Sequence, residues 1–129
     1  MNKIIKTALV VLGCSLAFNV AADSRVDAVY KCKLKEGKEL SSVHEANTAW
    51  LAHIKEATDV SVNSGTATAI VGGFEGFYFV DSYPSLSAWA SVQEYLDSDD
   101  GEAAIEEITS QFDDLFECVE NNLYKFTSN

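Results

Sequence analysis

Three side chains with different chemistries recur at intervals of three residues in one segment of the chain: Asn47, Trp50 and His53. On an α-helix this spacing places them on adjacent parts of one flank. The amide could orient a substrate, the indole could stack on it, and the imidazole could move a proton near neutral pH. Such a set would suit cofactor-free oxygenation of an activated ring. A core tryptophan flanked by two polar residues at the core boundary explains the same spacing.

Three further aromatic residues could widen such a site into an aromatic cavity: Tyr30, Tyr78 and Trp89. Ligand sites are mostly apolar and contain a few polar groups, which this combination would provide. We therefore take these three residues and Trp50 as candidates for ligand binding, and His53 and Asn47 as candidates for catalysis. Ordinary core packing is the alternative for all four aromatic residues.

The sequence motifs for metal and phosphate chemistry are absent. Residues 97–102 are acidic, but Gly101 falls at the fifth position rather than the sixth that an EF-hand loop needs, so a solvated turn is expected. The sequence has no Cys-x-x-Cys or His-x-x-x-His spacing, and no nucleophile elbow, phosphate loop or dinucleotide fingerprint. We expect neither a metal nor a cofactor.

The first 22 residues have the features of a secretory signal. Lys3 and Lys6 precede an uncharged run over residues 7–18, and the small residues Ala21 and Ala22 follow. We predict a signal peptide at 1–22, one mature domain at 23–129, and a periplasmic or secreted location. A lipobox-like Val-Leu-Gly-Cys ending at Cys14 offers lipidation as an alternative.

Export has consequences for the remaining cysteines and for the charge. Cys32 and Cys118 would meet an oxidising compartment, where an even pair usually forms a disulfide. Without the signal, 7 basic and 20 acidic side chains remain, which gives a net charge of −13. This charge repels phosphate backbones and anionic lipids, so neither nucleic acid nor membrane is an expected partner.

The mature chain alternates between strand and helix patterns. Residues 26–35 alternate between apolar and polar side chains, which indicates a strand. Ser42 and Glu45 have the spacing of a capping box, which predicts a helix start nearby. The following apolar residues recur every three or four positions, as in an amphipathic helix. They are Val43, Ala46, Trp50, Ile54 and Ala57.

The second half repeats this order. Residues 66–71 and 77–80 read as two strands of a hairpin joined by a glycine-bearing connection. A helical segment follows Pro84, is interrupted at 97–101 and resumes to Leu115, and a last strand surrounds Cys118 to Phe126. The order βαββαβ predicts an α+β, ferredoxin-like fold with an antiparallel sheet and helices on one face. The first and last strands would be neighbours, so Cys32 and Cys118 could meet.

The aromatic strand Phe-Tyr-Phe-Val over 77–80, which runs into Tyr83-Pro84-Ser85 and an amphipathic helix, resembles the dimeric α/β-barrel superfamily. That superfamily includes antibiotic-biosynthesis-monooxygenase-like proteins. The resemblance implies two sheets paired face to face and a pocket between sheet and helices. It transfers no catalytic residue, because the Asn, Trp and His set of the haem-degrading branch does not match position by position.

Both faces of the strand at 77–80 are apolar, whereas one helix layer covers only one face. We therefore predict a homodimer joined through the sheet. The objection is that Lys31 and Lys33 place positive charges on the face that would form the interface. The expected function is an exported domain that binds a small apolar or aromatic molecule, with oxygenase-like chemistry as its enzymatic form. The alternative is a non-catalytic exported protein for interaction or stress tolerance.

Overall fold

The computed structural model describes residues 24–128. The predicted signal peptide and Cys14 lie outside the described residues. The chain alternates four strands with three helices in the predicted order, the second helical segment being two separate helices. The elements are β1 (Val26–Leu34), α1 (Leu40–Thr58), β2 (Asn63–Ala67), β3 (Phe77–Tyr83), α2 (Leu86–Leu96), α3 (Asp99–Leu115) and β4 (Phe116–Lys125).

The strands form one antiparallel sheet in the order β2-β3-β1-β4. The alternation predicted for β1 is confirmed, because Val26, Ala28 and Cys32 are buried while Lys33 on the other face is exposed. Since side chains alternate along a strand, each strand presents one inner and one outer face. The ferredoxin-like α+β fold is thereby confirmed.

The helices pack on the inner face and close the core. Ile54 of α1 and Val92 of α2 are fully buried in one cluster with Ala28 and Tyr83. A second cluster contains Val43 of α1 with the inner-face residues Cys32, Phe77 and Phe79. Tyr30 packs against both clusters and so joins them beneath the helices.

The predicted capping box does not form, although α1 begins near Ser42 as expected. The helix begins at Leu40 after Glu39, whose side chain makes no capping hydrogen bond, and Ser42 and Glu45 lie inside the helix. The other two helices begin with serine caps: Ser85 Oγ accepts from Ala88 N–H at 3.0 Å, and Ser98 Oγ accepts from Gly101 N–H at 3.1 Å.

The acidic run at 97–102 contains the expected turn at Asp97 and Ser98 and continues into the start of a helix. It places Asp99, Asp100 and Glu102 in the first turn of α3, where negative charge interacts favourably with the helix dipole. Gly101 in this turn is buried, and a Cβ at that position would lie 1.9 Å from the carbonyl oxygen of Tyr95. The close approach of α2 and α3 therefore requires glycine there.

The hairpin is confirmed, but its first strand lies earlier than predicted. The strand spans Asn63–Ala67, whereas the sequence predicted it at residues 66–71. Its last residue, Ala67, pairs with Tyr78 at the beginning of β3. Beyond that pair almost no ladder partner remains, so the β-branched run leaves the sheet despite its propensity. Ile70 and Val71 are consequently 99% and 93% exposed in the connecting loop.

A disulfide joins β1 to β4 between Cys32 and Cys118, as predicted. The two cysteines are opposite one another in the ladder. Between this pair and the pair Lys31–Glu120, the register shifts and Val119 is left without a partner. In the described part of the chain, no helix is long and apolar enough to cross a membrane.

The disulfide closes a loop with a sequence separation of 86 residues. Replacing both cysteines by alanine should lower the free energy of unfolding by about 4 kcal/mol, because the unfolded chain regains the entropy that the crosslink removes. Urea denaturation of residues 23–129 measures this loss, and reduced wild type should match the variant. Two reactive thiols in unfolded, unreduced wild type would contradict the bridge.

Candidate functional site

A cavity of about 300 Å³ lies between the inner face of the sheet and the helices. Most of its wall is apolar, and every strand except β2 contributes to it. Its lining consists of Tyr30, Asn47, Trp50, Phe79, Asp81, Tyr83, Gln93, Leu96, Phe112, Phe116 and Cys118. The disulfide therefore reaches the wall of the cavity.

Strand alternation and helix periodicity bring the polar groups of the site together. Phe79, Asp81 and Tyr83 are successive inner-face residues of β3, and β1 places Tyr30 opposite Phe79. Helix α1 supplies Asn47 and, one turn later, Trp50.

A group of three phenylalanines forms one wall. The rings of Phe79 and Phe116 stack with centroids 5.9 Å apart, and Phe112 meets Phe79 edge-on at 6.1 Å. Phe112 also lies 5.5 Å from Phe116. Stacked and edge-to-face pairs of this kind stabilise one another beyond their burial, so this wall is built from rings at several fixed angles.

A chain of hydrogen bonds runs from α1 through β2 to β3. Asn47 Nδ2 donates to Ser64 Oγ at 3.0 Å, and Ser64 Oγ donates to Asp81 Oδ1. Asn47 and Asp81 are buried, at 5% and 6% exposure. The chain fixes the orientation of the Asn47 amide and leaves its buried Oδ1 without a hydrogen-bond partner.

Burial dominates the electrostatics of the site. It raises the pKa of Asp81 to about 6, although the hydrogen bond from Ser64 favours the carboxylate and opposes this rise. Burial also raises the pKa of Tyr30 and Tyr83, and the neighbouring carboxylate of Asp81 adds to both effects. The site therefore contains one carboxyl group that ionises near neutral pH beside hydroxyl groups that stay protonated.

Three of the six predicted site residues line the cavity: Asn47, Trp50 and Tyr30. Asn47 is more deeply buried than a position at the core boundary would be. Its neighbour in the predicted cluster, His53, does not line the cavity. His53 Nε2 instead forms a 2.7 Å hydrogen bond with the hydroxyl group of Tyr95 on α2.

The remaining two predicted residues lie elsewhere for simple geometric reasons. Trp89 packs against the core cluster around Ile54 and Val92. Tyr78 precedes Phe79 by one position and so points to the outer face, where it is 37% exposed and lies beside Phe74. Strand alternation separates Tyr78 from the other candidates.

The carboxyl group at the centre of the site is not among the residues predicted from the sequence. Asp81 lies in phase with Phe77, Phe79 and Tyr83 on the buried face of β3. A charged residue in the apolar phase of a strand is the signal that could have identified it. Ser64 carries no comparable signal, because its role depends on the pairing of β2 with β3.

The structure also offers no cluster of metal ligands in the residues it describes. Within residues 24–128 no three His, Cys, Asp or Glu side chains are grouped so that they could hold a metal ion.

The raised pKa of Asp81 predicts a pH-dependent stability. Because the folded protein holds this proton more tightly than the unfolded chain, whose pKa is near 3.8, the contribution of Asp81 to stability falls as pH rises from about 4 to 6. Relative to Asp81→Asn, wild type should lose about 3 kcal/mol of unfolding free energy across this range. Urea denaturation at several pH values measures the difference.

Ser64→Ala provides the matched control. It removes the hydrogen bond that favours the carboxylate, so the pH range of the loss should extend upward. A difference between wild type and Asp81→Asn that stays constant with pH would contradict the burial of this carboxyl group.

The fold is similar to solved structures of low sequence identity. SnoaB, a cofactor-independent oxygenase from Streptomyces nogalater, aligns with a TM-score of 0.54 and 9% identity over 82% of this chain and 96% of its own. A hypothetical protein from Arabidopsis thaliana aligns with a TM-score of 0.52 and 21% identity over 84% and 93%. A dimeric protein of unknown function and ferredoxin-like fold from Bacteroides fragilis has a TM-score of 0.46, with 13% identity over 79% and 96%.

No protein-family model matches the chain, and no curated protein sequence matches it significantly. At the level of the fold, the structural neighbours nevertheless support the resemblance found in the sequence. The chain has a ferredoxin-like fold.

Proposed function

We propose that this protein is an exported small-molecule-binding domain whose cavity takes an aromatic or apolar compound. The observation that carries the proposal is the cavity of about 300 Å³ between sheet and helices, lined mainly by aromatic rings and containing one ordered polar chain. This combination of apolar walls and a few fixed polar groups is typical of ligand sites. A compound of two fused rings is small enough for this volume.

Export is supported by the sequence at the N-terminus and by the disulfide. A charged start, an apolar run and small residues before position 23 are the features of a signal peptide. The bridge between Cys32 and Cys118 suits an oxidising compartment such as the periplasm or the exterior.

The outer face of the sheet supports a homodimer. Val29 and Val80 are paired at its centre, and Tyr78 lies two positions away on β3, opposite Lys31. Phe74 of the connecting loop lies beside Tyr78, but the described helices pack on the opposite face and none of them covers these apolar side chains. A second copy would cover them with the same surface, as a two-fold interface requires.

The lysines on this face do not prevent such an interface. Lys31 is opposite Glu120 in the ladder, and Lys33 is opposite Glu117, so acids accompany both bases on the outer face. The Lys31 ammonium also lies 4.6 Å from the centre of the Phe74 ring. The face therefore combines apolar side chains with charges of both signs, which a two-fold partner can complement.

The buried carboxyl group favours oxygenase-like chemistry as a second candidate. Asp81 has a pKa of about 6 and lines an aromatic cavity, so it could take a proton from an activated ring. SnoaB, a cofactor-independent oxygenase, has a similar fold. Proton transfer would then belong to Asp81 rather than to His53.

The non-catalytic alternative predicts a filled interior with Asn47 and His53 in solvent. The cavity and the burial of Asn47 favour a ligand-binding role over it.

Binding of 2-naphthol tests the proposed function, because this neutral compound fits the cavity and can stack on its walls. Trp50 lines the cavity and Trp89 does not, although both pack against the same core cluster. Trp50→Leu should weaken binding about fivefold to tenfold through lost stacking, while Trp89→Leu should leave it unchanged. Isothermal titration calorimetry of the mature protein measures both. Absence of binding to wild type at millimolar naphthol, or equal effects of the two variants, would refute the proposal.

Sedimentation equilibrium tests the dimer. Val80→Asp places a carboxylate from each copy in the proposed interface and should weaken dimerisation at least a hundredfold, at about 1.4 kcal/mol for each tenfold step. The control is Ala104→Asp on the exposed surface of α3, which should remain dimeric. A wild type that is monomeric at ~100 micromolar, a concentration at which even weak dimers associate, would disprove this arrangement.

A further inference from the structure

The lining of the cavity contains an acid and no base. Asp81 is the one charged side chain among the lining residues. In the described chain, no lysine, arginine or histidine forms an ion pair with it. The ion pairs that do form, such as Arg25 with Asp27, involve residues that do not line the cavity. No basic side chain of the described chain therefore neutralises the carboxylate of Asp81.

Its hydrogen bonds compensate this carboxylate only in part. Ser64 donates to Oδ1, and the Asn47 amide supports Ser64 rather than Asp81. A buried charge without a counter-ion is costly, and a cation that reaches it recovers much of that cost. Above its pKa of about 6, the group attracts positive charge into the cavity.

The aromatic walls favour the same kind of ligand. The faces of indole, phenol and benzene rings attract cations, most strongly where water is excluded. Trp50, Tyr30 and the stacked pair of Phe79 and Phe116 line the space around Asp81. Rings around a single buried carboxylate offer an ammonium group both an ion pair and ring faces.

We propose that the ligand of this cavity is a protonated arylalkylamine, a ring system that carries its amine on an aliphatic carbon, whose ammonium group binds the carboxylate of Asp81 while its rings stack against Trp50 and the phenylalanine wall. This inference rests on the proposed function and specifies its ligand class. The net charge of −13 on the mature chain acts in the same direction, because it raises the local concentration of cations.

Two probes of nearly equal shape distinguish the effect of ligand charge on binding from the effect of ligand shape. 2-Naphthylmethylamine is a cation at pH 7.5, and 2-naphthalenemethanol is its neutral counterpart with the same ring system. Calorimetric titration of wild type should give at least tenfold tighter binding for the amine than for the alcohol. In Asp81→Asn this preference should fall below twofold. Asp100→Asn, which removes an exposed acid at the start of α3, should keep the full preference and so controls for net charge.

A pH series on wild type gives a second test that needs no variant at Asp81. Asp81 is the acid facing the bound amine, and Tyr30 and Tyr83 stay neutral because their pKa values are raised. The amine preference should therefore disappear between pH 7.5 and 4.5. Far-UV circular dichroism of Asp81→Asn establishes that any loss in the variant is not unfolding.

The outcomes distinguish this inference from the proposed function. If the alcohol binds and the amine binds no more tightly, the amine inference is wrong and the small-molecule cavity stands. If the preference persists in Asp81→Asn or at pH 4.5, the cation binds elsewhere and the inference is also wrong. If neither probe binds wild type, both proposals fail.

Discussion

The antiparallel pairing of β1 with both β3 and β4 is the constraint on which the rest of the structure depends. It places the first and last strands side by side, so the disulfide can bridge Cys32 and Cys118. It also aligns Tyr30 with Phe79 on the inner face, where the helices cover them. The cavity lies between these ladders and the helices, and Cys118 is part of its wall. Fold stability and site geometry thus share one set of contacts.

Within that frame, one buried carboxyl group sets the character of the site. The pairing of β2 with β3 puts Ser64 opposite Asp81, and the same serine accepts from Asn47 on α1. Three elements are therefore connected through a polar chain inside an apolar interior. Such a carboxyl group destabilises the fold when it is ionised and no ligand is bound. A ligand that neutralises its charge offsets this loss of stability. The cost is a reason to connect this residue with binding rather than with stability.

Sequence periodicity was sufficient for the topology but not for the details that depend on pairing. Alternation in β1 predicted which residues are buried, and the order of elements predicted the disulfide between strands that meet in space. The end of β2 was wrong because local β propensity does not reveal where the partner strand begins. The capping box predicted for α1 was wrong because the spacing of Ser42 and Glu45 occurs by chance inside the helix, which begins at Leu40.

The candidate site was predicted only in part, because some of its contacts depend on pairing and packing between elements. Helical spacing correctly associated Asn47 with Trp50, which line one cavity. His53 lies too far along the flank and bonds to Tyr95 instead, a contact between helices that the sequence does not encode locally. Asp81 could have been identified from its phase in β3, whereas Ser64 could not, because only the hairpin register brings it to the carboxyl group.

The most direct test of the central claim is a map of amide chemical shifts during titration with 2-naphthylmethylamine. We expect the largest shifts at the indole N–H of Trp50 and at the backbone amides around Ser64 and Asp81, while the indole of Trp89 is little changed. Shifts that cluster on the outer face around Tyr78, or that are absent at saturating ligand, would contradict this claim.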